Sequence, residues 1–167
     1  VAGIERKDRE FWKFVEGFDY VGLLETWVDQ RKWESLRKRL PKGFVWSCQA
    51  AIREKKKGRP RGGIITGVKE SWEILEGCEQ VEGLVGRKIR VKEEIWNIWA
   101  VYSNREIDRI AREIEEKLEH IGEEVAIIGG DFNARIGEEE SWYSRGAEEE
   151  QEKRKSKDKV KNGQGEK

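Results

Sequence analysis

The feature that most constrains the fold of this chain is an amphipathic helix followed at once by a short apolar strand, between residues 104 and 128. Apolar residues recur three and four positions apart, which is the spacing of a helix face that packs on a core; they are Ile107, Ile110, Ala111, Ile114, Leu118 and Ile121. We expect Asn104 to cap the start of this helix and Gly122 to end it. Residues 125 to 128 are all apolar, as in a strand that is buried in a sheet. The sequence therefore predicts helices and strands in one packed domain.

A similar mixture of helices and strands is predicted before this helix. Apolar side chains at helical spacing indicate a short helix from Phe11 to Phe18, and the run from Tyr20 to Leu24 is typical of a buried parallel strand. Asp29 is placed to cap a second helix, which Pro41 ends. Further strands are expected at residues 44–48, 64–68, 84–91 and 95–102.

The composition agrees with one folded domain. Charged residues make up 41% of the 167 residues, but the chain also carries 8 Trp and 5 Phe, an aromatic content that disordered chains rarely have. A chain of this length can bury one sizeable core. No apolar run reaches the roughly 18 residues that a membrane span needs, so we expect no membrane partner.

Cysteine usage and the chain ends indicate a piece of an intracellular protein. Cys48 and Cys78 form no metal-ligand cluster, and the sequence has no apolar signal segment, which favours a reducing compartment, the nucleus included. Both cysteines are expected to be core thiols. The chain contains no Met and ends in a polar stretch, so we interpret it as a fragment.

Charge is balanced over the whole chain and uneven along it. Lys plus Arg and Asp plus Glu number 34 each, so the net charge indicates no particular partner. From Arg31 to Arg61, twelve basic residues accompany two acidic ones, which gives a local charge of +10. The loop from Arg53 to Arg61 is either a solvated hairpin tip or a contact for nucleic-acid phosphates. Residues 138 to 167 are expected to form a charged loop or tail.

Two of the predicted strands end in acidic side chains. Glu25 follows the first strand and Asp131 follows the strand at 125–128, so a mixed sheet would bring both acids to one edge. Mg²⁺ prefers oxygen ligands and takes one or two protein carboxylates, which makes Glu25 a candidate ligand. The Gly129-Gly130 pair would let a ligand approach the backbone, Asp131 can accept a proton from water, and Asn133 can bond a phosphoryl oxygen. Taken singly, these residues have plainer readings as a solvated acid and a turn.

Four segments together resemble the endonuclease/exonuclease/phosphatase superfamily, in the order that the family has them. The segments are Val21-Gly22-Leu23-Leu24-Glu25-Thr26, Gly58-Arg59-Pro60-Arg61-Gly62-Gly63-Ile64, Ala100-Val101-Tyr102-Ser103-Asn104 and Ile127-Ile128-Gly129-Gly130-Asp131-Phe132-Asn133-Ala134-Arg135-Ile136-Gly137. The superfamily includes abasic-site endonucleases, DNase I-type nucleases, inositol polyphosphate 5-phosphatases and deadenylases. The resemblance implies an α/β (α+β) fold, a four-layer αββα sandwich of the DNase I-like type. Residues 1–137 would form part of that domain, without its first strand and its C-terminal strands.

Within the superfamily, the chain is similar to the abasic-endonuclease-like domain of non-LTR retrotransposons. The likeness lies in Leu24-Glu25-Thr26-Trp27 and in Ser156-Lys157-Asp158-Lys159. It implies a DNA endonuclease whose nicks leave 3′-hydroxyl and 5′-phosphate ends. It also implies a reverse transcriptase domain in the same parent polypeptide.

The resemblance assigns roles to particular residues. Glu25 would be the ligand of Mg²⁺, or of Mn²⁺ in its place, while Asp131 and Asn133 would position the attacking water. Tyr102 would contact the scissile phosphate, and Asn104 would support the same strand end on the phosphate-binding side. The residues expected to contact DNA from the basic loop are Lys55, Lys56, Lys57, Arg59 and Arg61.

Some residues of the family's site do not occur in this sequence. The family's catalytic histidine belongs to a Ser-Asp-His run, which the sequence lacks, and we expect its only histidine, His120, to lie on the surface. An Asn on the family's first strand would precede Val1. We therefore expect the chain alone to be inactive and to be marginally stable or prone to aggregation. Two other interpretations stay open, a phosphatase acting on inositol phosphates or phospholipids and a non-catalytic retroelement remnant.

Overall fold

The computed structural model describes residues 1–53, 58–75, 77–104, 106–135 and 160–166, together with the backbone of residues 141–142 and 153–154. These residues form a mixed α+β structure with three α-helices and two main sheets. In this part of the chain, no helix is both long and apolar enough to cross a membrane.

The first sheet has three antiparallel strands. They are β1 (Tyr20–Leu24), β2 (Phe44–Gln49) and β3 (Ile64–Lys69), in the order β1-β3-β2. The predicted strands are confirmed, but the prediction that the first one is parallel is wrong, because β1 pairs with β3 in antiparallel register. An apolar run of five residues indicates burial and carries no information on the direction of its neighbour.

Two short helices pack on this sheet. They are α1 (Arg9–Val15) and α2 (Gln30–Leu36), and a 3-10 turn (Arg37–Arg39) extends α2. The predicted cap is confirmed, because the Asp29 carboxylate accepts the backbone N–H of Lys32 at 3.1 Å. Pro41 follows the 3-10 turn and ends the helical segment as predicted.

The second sheet has five strands in the order β4-β6-β7-β8, with β5 paired to β6. The strands are β4 (Glu73–Ile74), β5 (Glu79–Val81), β6 (Leu84–Val91), β7 (Glu94–Tyr102) and β8 (Val125–Asp131), and a separate pair follows as β9 (Ser141–Trp142) and β10 (Lys153–Arg154). β7 and β8 are parallel, and the other pairs of this sheet are antiparallel. The three long strands were predicted. β4 and β5 were not, since two or three residues are too few for an alternation of polarity to show.

The long helix α3 (Ile107–His120) connects β7 to β8. The prediction that Asn104 caps it is wrong, because the residue at the cap position is Glu106 and no side chain donates or accepts a capping bond there. The predicted stop is confirmed, since Gly122 follows the last turn with a φ of +59°. His120 is exposed, as expected.

Apolar side chains join the helices and both sheets into one core. Val15 of α1 and Leu36 of α2 pack with the first sheet, while Ile110 of α3 packs with β6 and β7 of the second. Ile64 of β3 lies against Val85 and Ala100 of the second sheet, so the two sheets face each other. This contact between the sheets determines which strand ends meet.

The strand at the end of the second sheet is less buried than its sequence indicates. Most of β8 is exposed, and Ile127 keeps 39% of its surface accessible. The expectation of a strand buried on both faces is therefore wrong for this part of the chain. Cys48 and Cys78 are free and half-buried, and burial raises the pKa of the Cys48 thiol to about 12.

Candidate active site

The centre of the site is a hydrogen bond between the two sheets. Tyr102 ends β7, and its hydroxyl Oη donates to Oε1 of Glu25, the residue after β1, at 2.6 Å. Desolvation raises the pKa of Tyr102 to about 12, with further contributions from the Glu25 bond and the negative charges of Glu25 and Asp131. The hydroxyl therefore remains a proton donor at neutral pH.

The acids of the site come from different sheets. Glu25 follows a strand of the first sheet, whereas Asp131 ends β8 of the second. The prediction that both lie at the edge of one mixed sheet is wrong, because the two sheets are stacked and β1 does not join the sheet of β8. Asp131 lies beside Tyr102 in the parallel register of β7 and β8. Tyr102 is thus the link between the carboxylates of the two sheets.

A strained turn orients Glu25. Glu25 and Trp27 have φ values of +53° and +58°, in the left-handed region that non-glycine residues rarely adopt. The turn is held by the backbone N–H of Thr26, which donates to the carbonyl of Gly63 at 3.1 Å. A Cβ at Gly63 would lie 2.6 Å from Oγ1 of Thr26, so this close approach requires glycine. The Gly-Gly pair at the start of β3 therefore shapes the turn that presents the Glu25 carboxylate.

Asp131 and Asn133 are joined to each other and to the end of β7. The backbone N–H of Asn133 donates to Oδ1 of Asp131 at 2.9 Å, and its side-chain Nδ2 donates to the carbonyl of Ser103 at 2.7 Å. Asn133 has a φ of +50°, which Asn tolerates better than most residues. Within the described ranges, these bonds leave the amide oxygen of Asn133 and the second oxygen of Asp131 available to a ligand. The arrangement can orient a water molecule and accept its proton.

The two glycines of the Gly129-Gly130 pair have different surroundings. A Cβ at Gly130 would come within 1.9 Å of the Val101 carbonyl oxygen of β7. A Cβ at Gly129 would meet nothing within 4 Å. Gly130 is therefore required by the neighbouring strand, while the approach of a ligand to this backbone stays a prediction.

The base of the basic loop is attached to the segment that follows Glu25. Arg53 pairs with Asp29 at 2.8 Å, and the guanidinium of Arg59 lies 3.9 Å from the centre of the Trp27 ring. Arg61 is bridged to Ile52 across the hairpin. Lys55, Lys56 and Lys57 lie outside the described residues.

A cleft of about 400 Å³ opens beside Tyr102. Its lining includes Arg61, Gln49, Asn104 and Arg109. Asn104, predicted on the phosphate side of the strand end, thus faces the same cleft as Tyr102. The cleft is large enough to receive a group attached to a phosphate at the site.

Sequence reasoning missed the contribution of Asn162 and Gln164. The Asn162 side chain donates through Nδ2 to the carbonyl of Asn133 at 2.8 Å, and Gln164 donates to the same carbonyl at 3.3 Å. The Asn-Gly pair at 162–163 signals a turn, but nothing in its spacing indicates the partner. Residues 160–166 therefore contact the loop that carries Asn133.

Two facing sheets with helices packed on them, and a tyrosine and two carboxylates at their joined ends, form a mixed α+β domain. No protein-family model matches the sequence. A comparison with curated proteins likewise found no match.

Solved structures of TDP2 share this fold. Humanized TDP2 from D. rerio is 18% identical with a TM-score of 0.52, over 76% of this chain and 58% of that one. D. rerio TDP2 complexed with a single-strand DNA product is 17% identical with a TM-score of 0.53, over 76% of this chain and 53% of that one. TDP2 from C. elegans is 14% identical with a TM-score of 0.53, over 75% of this chain and 42% of that one.

The similarity at these identities is one of fold. It agrees with the mixed α+β fold of the DNase I-like type that the sequence motifs implied. The chain spans about half the length of these structures. The retroelement subfamily rests on the sequence motifs alone.

Proposed function

We propose that this chain carries part of the active site of a metal-dependent phosphodiesterase that acts on DNA. The observation that carries the proposal is the 2.6 Å bond from Tyr102 to Glu25, formed where Tyr102 lies beside Asp131. Three residues that are distant in sequence and belong to two sheets meet at one point. A purely structural role gives no reason for two carboxylates and a half-buried tyrosine to meet at exposed strand ends.

Glu25 is the proposed ligand of a divalent cation, Mg²⁺ or Mn²⁺. Its carboxylate is half-buried and bonded by Tyr102, and Asp131 offers a second set of hard oxygen atoms. Mg²⁺ usually takes one or two protein carboxylates and otherwise water and phosphate oxygens, and the Glu25 carboxylate matches that preference. When bound, the cation would stabilise negative charge on the phosphate.

Asp131 and Asn133 are the proposed water-positioning residues. Asp131 would accept the proton of the attacking water, and the amide oxygen of Asn133 would accept its second hydrogen bond. Because the backbone N–H of Asn133 already bonds Asp131, the two side chains are fixed relative to each other. On substrate binding, the Tyr102 hydroxyl would give up its bond to Glu25 and donate the same proton to a phosphoryl oxygen, since its raised pKa keeps it protonated.

DNA is the proposed substrate for two reasons. The segment from Arg31 to Arg61 carries a charge of +10, which favours a polyanion. One of the structurally similar proteins, D. rerio TDP2, is complexed with a single-strand DNA product. The finer proposal from the motifs is an endonuclease of retroelement type, in the nucleus, linked to a reverse transcriptase domain. It includes a complete four-layer αββα sandwich, with residues 138–167 leading into its C-terminal part.

The test is nicking of supercoiled plasmid, with the chain expressed alone and together with the coding sequence that flanks it. We expect Mg²⁺-dependent nicks in the longer protein, with loss of about 100-fold or more in Asp131→Asn. Glu115→Gln, which changes an exposed carboxylate on α3, is the matched control and should nick normally. Phosphate release from inositol phosphates without nicking would favour the phosphatase, and neither activity in the longer protein would favour a non-catalytic remnant.

A further inference from the structure

The segment from Val160 to Glu166 makes several hydrogen bonds to the backbone of the loop after β8. Asn162 bonds this loop at three backbone groups: Nδ2 donates to the Asn133 carbonyl at 2.8 Å, Oδ1 accepts the Arg135 N–H at 3.0 Å, and the backbone N–H donates to the Arg135 carbonyl at 3.0 Å. These bonds join residues 27 to 29 positions apart. The loop thus depends on a distant segment for its backbone hydrogen bonds.

A second residue connects the same segment to β7. Gln164 donates to the Asn133 carbonyl at 3.3 Å, and its Oε1 accepts the hydroxyl of the fully buried Ser103 at 3.3 Å. Ser103 in turn accepts the Asn133 side chain and donates its backbone N–H to Asp131. Asn162 and Gln164 therefore complete a network around both water-positioning residues.

A local turn explains only part of these contacts. Oδ1 of Asn162 accepts the backbone N–H of Gly165, three residues further on, at 2.9 Å, which is the local side-chain bond of an Asn that opens a turn. That turn does not require the Nδ2 donor to reach Asn133. Asn133 has a left-handed backbone and follows an exposed strand end, so it is the position that most needs external support.

We propose that Asn162, assisted by Gln164, is a positioning residue that fixes the backbone from Asn133 to Arg135 and so sets Asp131 and Asn133 for their action on water. This inference rests on the proposed function for its catalytic part. The proposed role does not extend to Glu25, because none of the hydrogen bonds described for Asn162 and Gln164 reaches the first sheet. Removal of Asn162 should therefore change the turnover rate more than metal or DNA binding.

The test separates fixation of the loop from its effect on catalysis. Hydrogen exchange of the Asn133 and Arg135 amides, measured without DNA or metal, should accelerate at least tenfold in Asn162→Ala. In Asn162→Asp, which keeps the acceptor for the Arg135 N–H and loses the donor to the Asn133 carbonyl, Arg135 should stay protected. The Asn133 N–H, which bonds Asp131, should exchange faster because the loop is less firmly held at the Asn133 carbonyl. Glu166→Ala, at an exposed residue of the same segment, should leave both unchanged.

Kinetics of plasmid nicking, in the protein that shows it, supply the second readout. We expect kcat to fall about 10- to 100-fold in Asn162→Ala, with KM and Mn²⁺ affinity within twofold of the original. Unchanged exchange in both Asn162 variants refutes the proposal, whether or not the protein nicks DNA. Faster exchange with an unchanged kcat also overturns the proposal. Absence of nicking in the unaltered protein refutes the proposed function, and hydrogen exchange alone then tests whether Asn162 fixes the loop.

Discussion

The bond between Tyr102 and Glu25 can be measured without any enzymatic assay. Tyr102→Phe removes the hydroxyl and keeps the ring, and Glu25→Gln removes the charge and keeps the shape. The bond is 2.6 Å long and its acceptor is a carboxylate, so it belongs to the stronger class of hydrogen bonds. The two variants and their combination form a double-mutant cycle.

The expected coupling follows from burial and charge. A hydrogen bond to a charged group contributes about 1.5–3 kcal/mol to stability. Both side chains are only half-buried, so water weakens the interaction and we expect a coupling of about 1–2 kcal/mol. Loss of the Glu25 charge should lower the pKa of Tyr102. A coupling of about 1.4 kcal/mol corresponds to a tenfold change in the acid dissociation constant.

Urea unfolding gives the coupling, and ultraviolet absorbance between pH 9 and 13 gives the tyrosine titration. Because the folded-state pKa of Tyr102 is raised, its contribution to stability is complete below the unfolded value near 10 and is lost as pH rises to about 12. Tyr20→Phe is the control, since the Tyr20 hydroxyl is buried and has no hydrogen-bond partner among the residues that the structure describes. A coupling below about 0.3 kcal/mol, with an unchanged Tyr102 titration in Glu25→Gln, would refute the reasoning.

Three further predictions concern packing and charge around the site. Gly130→Ala should destabilise the fold by about 2–4 kcal/mol in urea unfolding, because its Cβ would collide with backbone, whereas Gly129→Ala should change stability by less than about 1 kcal/mol. Arg59→Ala should lower the free energy of unfolding by about 0.5–1 kcal/mol and alter tryptophan fluorescence. Arg59→Lys should cause smaller changes in both quantities, and equal effects of the two variants would contradict the stacking of Arg59 on Trp27. The hydrogen bond from Asn97, and to a smaller extent the bond from Lys88, hold the pKa of Glu124 below its usual value. The stability that Glu124 contributes above its unfolded-state pKa is therefore lost as pH falls. Asn97→Ala should flatten this acid dependence in thermal melts, and an unchanged slope would oppose the assignment.

Local sequence patterns were sufficient for most elements of the fold. The helical spacing of Ile110 and Ile114 predicted α3, and the strand expected at residues 84–91 is β6. The direction of β1 could not be predicted, because its pairing partners lie forty or more positions away in sequence. The predicted cap at Asn104 was wrong because α3 begins only at Ile107, with Glu106 at the cap position.

The sequence motifs predicted which residues lie close together at the candidate site, but not how they are arranged. The motifs singled out Glu25, Tyr102, Asp131 and Asn133, and the structure brings the first three together and attaches the fourth to Asp131. The contribution of Asn162 was not predictable, because an Asn-Gly turn has the same local sequence whether its side chain faces water or a distant carbonyl.

The stacking of the sheets sets the spacing between the two carboxylates. A Cβ at Gly22 of β1 would lie 3.3 Å from Cβ of Ala100 of β7, so these sheets meet through small residues two or three positions before Glu25 and Tyr102. A larger side chain at either position would separate β1 from β7 and lengthen the bond between Tyr102 and Glu25. The small residues in the Val-Gly-Leu-Leu-Glu and Ala-Val-Tyr segments therefore belong to the candidate site as much as the acids do, because they determine how closely its two halves approach.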